Sequence, residues 1–386
     1  MSQFTITTRL FWGTDGTLEV QRYLQNLRLK KLAFVIDKNL KDLEPTTRLL
    51  SEYGENGFTM APPIYFNASH EPTYDDLDQF VASFRTLEMD ALIAVGGGSV
   101  LDITKGVGLL LKNPGKGIDY RGLDKVPAAG IPVICYPTTA GTGSEVTHTA
   151  SFVDLQSKTK LGINGKHVAP LCGVLRPELT FSCPPKATLF SGLDAMVHSL
   201  EAVSAKTANA ISILMGSKAF AMLYSNISKV ITHPNDYAAR EQMLLGSYYA
   251  GIAMMNVGGG PASGISYPLG VYFNVPHGIA GGIFLTHVME FNVSHGYRGY
   301  IPIFDNLPGS ELSLGEESKS ADFVRRFKTL YAELKAPGTL SDYGIRKSDI
   351  PLITDLTLKQ RKTNLELNPV PFRETDVTAI LEKVIA

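Results

Sequence analysis

Cysteine and unbalanced charge are both scarce in this sequence. Three cysteines (Cys135, Cys172 and Cys183) among 386 residues cannot build a disulfide framework, and their spacing matches no zinc-ligand pattern. Reduced thiols in a cytoplasmic protein are the expectation. Lys plus Arg number 36 against 37 Asp plus Glu, a formal charge of −1. Without clustered positive charge, neither nucleic acid nor an anionic membrane surface is expected as a partner. No stretch reaches the roughly 18 uninterrupted apolar residues of a spanning helix. The first nine residues also lack the basic-then-apolar order of a secretory signal. Secreted and membrane readings are therefore set aside.

Apolar residues are plentiful. They make up 44% of the chain against 19% charged, the balance of a globular protein that can bury its own core. At about 150 residues per domain, this length suggests two or three domains.

The first half alternates strand and helix signals. Leu32-Ala33-Phe34-Val35-Ile36, Ala91-Leu92-Ile93-Ala94-Val95 and Ile131-Pro132-Val133-Ile134-Cys135-Tyr136 are short apolar runs of the kind buried in a parallel sheet. Helical patterns over residues 75–87 and 101–111 separate them, which predicts a doubly wound parallel α/β domain. After Pro184-Pro185 the texture becomes helical, over residues 189–231, 238–255 and from 318 onward. An α/β domain over residues 1–185 followed by an all-α domain over 186–386 is expected. Residues 258–282 hold eight glycines in 25 positions, interleaved with Pro, Ser and Tyr.

Two loops carry the first chemical signal. Gly96-Gly97-Gly98-Ser99, with Asp102 and Lys105 beyond, follows a strand and opens a helix, where exposed N–H groups can hold phosphate. Ser99 and Asp102 also read as a capping box. Thr138-Thr139-Ala140-Gly141-Thr142-Gly143-Ser144-Glu145 follows another strand and suits a second phosphate or ribose contact. One such loop is as readily a plain turn; two in one sheet favour a dinucleotide. Asp37, at the end of the first apolar run, could accept hydrogen bonds from ribose hydroxyls or be a solvated loop aspartate.

The second signal is a possible metal site. Asp194 and His198 are four residues apart on one helical face, inside an apolar stretch, and could chelate a cation or merely bond one another. His277, between Pro276 and Gly278, is expected on a fixed turn that suits a distant ligand. The remaining histidines have no partner spacing.

Taken together these residues resemble the iron-containing (group III) alcohol dehydrogenase family across nearly the whole chain. The carrying motifs are Gly96-Gly97-Gly98-Ser99 with Asp102 and Lys105, Thr138 to Glu145, Gly192-Leu193-Asp194-Ala195 with His198 and Glu201, and Pro268-Leu269-Gly270 followed by Pro276-His277-Gly278. The resemblance implies a dehydroquinate synthase-like architecture, with metal and substrate in a cleft between an N-terminal nucleotide domain and a helical domain. It implies NAD held by Gly97, Gly98, Ser99, Asp102, Thr138, Thr139, Thr142, Lys160 and Leu179, with Asp37 at the position that favours NAD over NADP. It implies a metal, Fe²⁺ or Zn²⁺, on Asp194, His198 and His277, and a homodimer.

One part of the pattern is missing. Where the family has two histidines four apart before Leu-Gly, this sequence has Ser263 and Tyr267, and where an Asn usually precedes Pro72 it has Glu71. Three accounts compete: a three-ligand metal site completed by water, a metal-free enzyme with the Tyr267 phenol as proton donor, or a nucleotide-binding pseudoenzyme. Serine is a poor substitute for imidazole, so weakened metal affinity is expected. The reading carried forward is an NAD-dependent oxidoreductase interconverting a small primary alcohol and its aldehyde, with Tyr267 and His277 catalytic. Within the superfamily, a polyol dehydrogenase or a sugar-phosphate cyclase is the alternative.

Overall fold

A computed structural model describes residues 3–385, which divide into two compact units. The first unit comprises residues 6–139 and 143–183. Its sheet has seven strands: β1 (Arg9–Trp12), β2 (Lys31–Asp37), β3 (Thr59–Met60), β4 (Ile64–Phe66), β5 (Ala91–Gly96), β6 (Val133–Pro137) and β7 (Cys172–Leu175). All pairings are parallel, in the order β1-β7-β6-β5-β2-β3, with β4 also on β2 beyond β3. Residues 32–36 of β2 and all of β5 and β6 are buried, because helices cover both faces. Those helices are α1 (Gly16–Asn26), α2 (Glu44–Glu55), α3 (Tyr74–Ala82) and α4 (Gly98–Leu110). The chain leaves β2 toward one edge and returns at β5 on its other side, so the sheet reverses direction between β2 and β5. In such sheets that reversal opens a crevice at the strands' carboxyl ends.

Two local expectations are corrected here. The helix expected over 75–87 ends at Ala82, and a Thr73–Asp76 capping box starts it. The Ser99–Asp102 capping box does not form, because α4 begins two residues earlier, with Gly97 at its N-cap and no side-chain cap there. The Asp102 carboxylate instead accepts from Ser144 Oγ (2.5 Å) and Ser151 N (2.9 Å) and pairs with buried Lys105 at 3.1 Å.

The second unit holds residues 184–385 with the short pieces 3–5 and 140–142. It is helical: α5 (Pro185–Ser204), α6 (Ala210–Thr232), α7 (Tyr237–Val257), α8 (Pro261–Phe273), α9 (His277–Ser294), α10 (Ile301–Phe304), α11 (Glu316–Glu333), α12 (Ile350–Glu366) and α13 (Glu374–Val384). Most of the glycine-rich stretch 258–282 lies in α8 and the start of α9. By length and composition α6 alone among the described helices could cross a membrane, yet over half of its apolar window is buried and it packs on α5 and α7. Cys135 and Cys172 are buried, Cys183 is half-buried, and none of the three forms a disulfide.

Candidate active site

From Gly192 to Ser204 every residue of α5 is buried, so the helix carries Asp194 and His198 into the interior, each 6% exposed. Their i,i+4 spacing sets Asp194 Oδ1 3.6 Å from His198 Nε2. His277 arrives from another helix. It is the first residue of α9 rather than a turn residue, with Pro276 extended before it (φ −56°, ψ 130°). Gly278 makes the meeting possible: a Cβ there would stand 2.1 Å from the Phe190 carbonyl oxygen and 2.9 Å from Asp194 Cβ. This close crossing of α5 and α9 brings His277 Nε2 within 4.0 Å of Asp194 Oδ1. One donor atom from each of the three residues lies within 4.8 Å of the others. Bonds of about 2.1 Å to one tetrahedral cation would place donors about 3.4 Å apart, so a small contraction would close this set.

Ser263 and Tyr267 lie four apart on α8. Ser263 does not point its hydroxyl at the trio. Its Oγ donates to Glu201 Oε2 at 2.5 Å, while its amide donates to Oε1 at 3.0 Å. Glu201 thus closes the start of α8, which has no side-chain cap of its own. Burial pushes the Glu201 carboxyl up, opposed by its bonds from Ser263 and Gly260. The Tyr267 ring lies against His277, centroids 4.6 Å apart. Arg361 Cζ stands 3.6 Å from the Tyr267 centroid. Arg361 interrupts α12, its backbone leaving helical values (φ −134°, ψ 24°). A cation this close to an aromatic face is attracted by the ring quadrupole.

In the α/β unit, Asp37 ends β2 and accepts from the Asn39 amide at 2.9 Å. Gly97, Gly98 and Ser99 stay half-buried although β5 before them is fully buried. Thr138, after β6, bonds the Gly96 carbonyl through its amide (3.0 Å), and a Cβ on Gly97 would touch Thr139 Oγ1 at 3.4 Å. Asp37, the uncapped start of α4 and the Thr138-Thr139 turn therefore share the carboxyl end of the sheet. Lys160 pairs with Glu71 at 2.6 Å, so the residue that departs from the family pattern engages a candidate cofactor contact. Leu179 is 3% exposed within the core. Thr142 belongs to the piece that groups with the helical unit.

Both implied groups can be tested against these residues. The two-imidazole, one-carboxylate set fits a divalent transition metal. The uncapped amides of α4 and its partly open glycines fit a pyrophosphate. His198 Nδ1, however, is buried without a hydrogen-bond partner among the described residues, and an unbonded outer nitrogen weakens a ligand.

Each unit carries one feature that the resemblance implies, the glycine and threonine loops in the first and the carboxylate–imidazole trio in the second. The profile of iron-containing alcohol dehydrogenases matches residues 7–177, and that of the family's C-terminal domain matches residues 188–385. Long-chain-alcohol dehydrogenase 1 of Geobacillus thermodenitrificans is 30% identical over 380 residues, covering 97% of this chain and 94% of that protein. Sulfoacetaldehyde reductase of Bilophila wadsworthia is 28% identical over 376 residues, covering 97% and 96%. A crystal structure of a 1,3-propanediol oxidoreductase superimposes over the whole of both chains with a TM-score of 0.92 at 26% identity. The chain belongs to the iron-containing alcohol dehydrogenase family. It is an NAD-dependent alcohol dehydrogenase or aldehyde reductase of that family.

Proposed function

We propose that this enzyme interconverts a small primary alcohol and its aldehyde on substrates that also carry an anionic group. The carrying observation is Arg361 over the Tyr267 ring, and that ring tilted at 56° against His277, which clusters with Asp194 and His198. The cofactor is assigned to Asp37, Gly97, Gly98, Ser99, Asp102, Thr138, Thr139, Thr142, Lys160 and Leu179, all of the α/β unit except Thr142. When bound, NAD supplies hydride chemistry. Asp194, His198 and His277 would hold a divalent cation, which supplies Lewis-acid polarisation of the substrate oxygen. Ser263 is left out of that set, since its hydroxyl is committed to Glu201.

Tyr267 occupies a position where the family pattern has a histidine. Its phenol takes the role of proton donor to the carbonyl oxygen in reduction and of acceptor in oxidation. Arg361 supplies positive charge next to that phenol, and a planar guanidinium suits a carboxylate or sulfonate. A relative named for sulfoacetaldehyde, an aldehyde bearing a sulfonate, supports the same substrate class. The reading includes a cytoplasmic homodimer, which light scattering checks for its subunit count.

The test is NADH oxidation with sulfoacetaldehyde against propanal, for wild type, Arg361→Gln and Tyr267→Phe. The charged aldehyde should be preferred in kcat/KM. Arg361→Gln should reduce that preference about 10- to 100-fold, the worth of a hydrogen bond to a charged group. Tyr267→Phe should lower kcat about 10²- to 10⁴-fold. Equal kcat/KM for the two aldehydes rejects the anionic substrate class, and unchanged turnover in Tyr267→Phe rejects the phenol as donor.

A further inference from the structure

Hydrogen-bond directions around His277 decide which ring nitrogen carries its proton. Ser266 Oγ lies 2.7 Å from the Ser263 carbonyl oxygen and 2.9 Å from His277 Nδ1. A hydroxyl has one proton to give, and a carbonyl can only accept. The Ser266 proton is therefore spent on Ser263, and toward the imidazole Ser266 Oγ offers only a lone pair. His277 Nδ1 must be the N–H donor, which in the neutral ring leaves the lone pair on Nε2. Nε2 is the atom turned to Asp194 Oδ1 at 4.0 Å. Ser266 itself has no exposed surface, so water does not reach its hydroxyl.

We infer that Ser266 is a positioning residue that holds His277 in the Nδ1–H tautomer and aims its Nε2 lone pair into the Asp194–His198–His277 cluster. The relay runs from the α8 backbone at Ser263, through the Ser266 hydroxyl, to the first residue of α9. It joins a helix that supplies no ligand to one that does. The two imidazoles differ in this respect, for His198 Nδ1 has no partner among the described residues. The site's outer hydrogen bonding is thus concentrated on His277, where it both fixes the ring's orientation and raises its basicity as a ligand.

This inference rests on the reading of the cluster as a metal site, and its test separates the two. The protein is labelled with ¹⁵N-histidine, and the His277 ring is observed by two-bond ¹H–¹⁵N spectra in chelator-treated samples, with His277→Gln to assign its signals. Zinc affinity is then measured by competition with a chromogenic chelator. Wild type should show a protonated Nδ1 and an unprotonated Nε2. Ser266→Ala should show a mixture of tautomers and lose about 10- to 100-fold in zinc affinity, the usual effect of an outer hydrogen bond. Ser266→Thr, which keeps the hydroxyl, should retain both properties. Wild-type His277 protonated on Nε2 overturns the inference without need of any variant. So does Ser266→Ala with wild-type spectra and wild-type affinity. A wild type with the expected tautomer but no zinc binding overturns the metal reading and leaves the tautomer assignment standing.

Discussion

Gly278→Ala is the sharpest single test of how this site is assembled. The added Cβ would stand 2.1 Å from the Phe190 carbonyl oxygen and 2.9 Å from Asp194 Cβ, both below the 3.0 Å floor that side-chain carbons respect. The Phe190 obstacle is backbone on α5, so no rotamer change relieves it, and the two helices must part by about 1 Å. Overpacking of this kind costs about 1–3 kcal/mol, offset in part by the better helix propensity of Ala, worth up to about 1 kcal/mol. A net loss of about 1 kcal/mol is expected from urea unfolding. The larger effect falls on the neighbouring residue. Metal sites tolerate errors of about 0.2 Å in bond length, so moving His277 by about 1 Å removes it as a ligand, and zinc affinity should fall more than about 100-fold. Gly281→Ala is the control on the same helix: its Cβ would meet side-chain atoms of Val197 first, at 3.3 Å, rather than backbone, and stability and zinc affinity should stay near wild-type levels. If Gly278→Ala matches Gly281→Ala in both measurements, the close helix crossing does not position His277 and the reasoning fails.

Two further outcomes follow from buried carboxylates. Ser263→Ala deletes the 2.5 Å bond to Glu201 and should cost about 1–3 kcal/mol in urea unfolding. Its zinc affinity should stay within about twofold of wild type; a fall as deep as that of His277→Ala would make Ser263 a ligand after all. Glu145 is wholly inside the α/β unit, and burial first of all pushes its carboxyl up to about 7, with Lys105 opposing. Below about pH 4.5 folded and unfolded chains both hold this proton. Between about 4.5 and 7 the unfolded chain releases it first, so stability falls as pH rises, by about 3 kcal/mol over that window. Glu145→Gln should flatten the pH dependence of unfolding between pH 5 and 8, and parallel curves for the two proteins would refute this assignment.

The sheet was legible because a parallel strand buried on both faces must be apolar at every position. Residues 32–36 and 91–95 show this without any tertiary knowledge. The Asp194–His198 pair was legible for a similar reason, since i,i+4 spacing on a helix is a local property. Helix starts were less so. The local pattern placed a cap at Ser99 and Asp102, but Lys105, Ser144 and Ser151 compete for that carboxylate, and two of them are more than 40 residues away in sequence. Only the packing shows that Gly278 must lack a side chain for α9 to cross α5.

Sequence alone therefore determined what depends on neighbours along the chain: the α/β-then-helical order, the glycine and threonine loops after β5 and β6, the carboxylate–imidazole pair, and the absence of histidine at 263 and 267. Tertiary structure alone decided what those groups touch. It turned the Ser263 hydroxyl to Glu201, brought His277 from α9 to Asp194, set Ser266 behind His277, and placed Arg361 over Tyr267 from 94 residues further along. Periodicity and capping are written in spacings of two to four residues, whereas a hydrogen bond or ring contact between helices depends on crossings that no local spacing encodes.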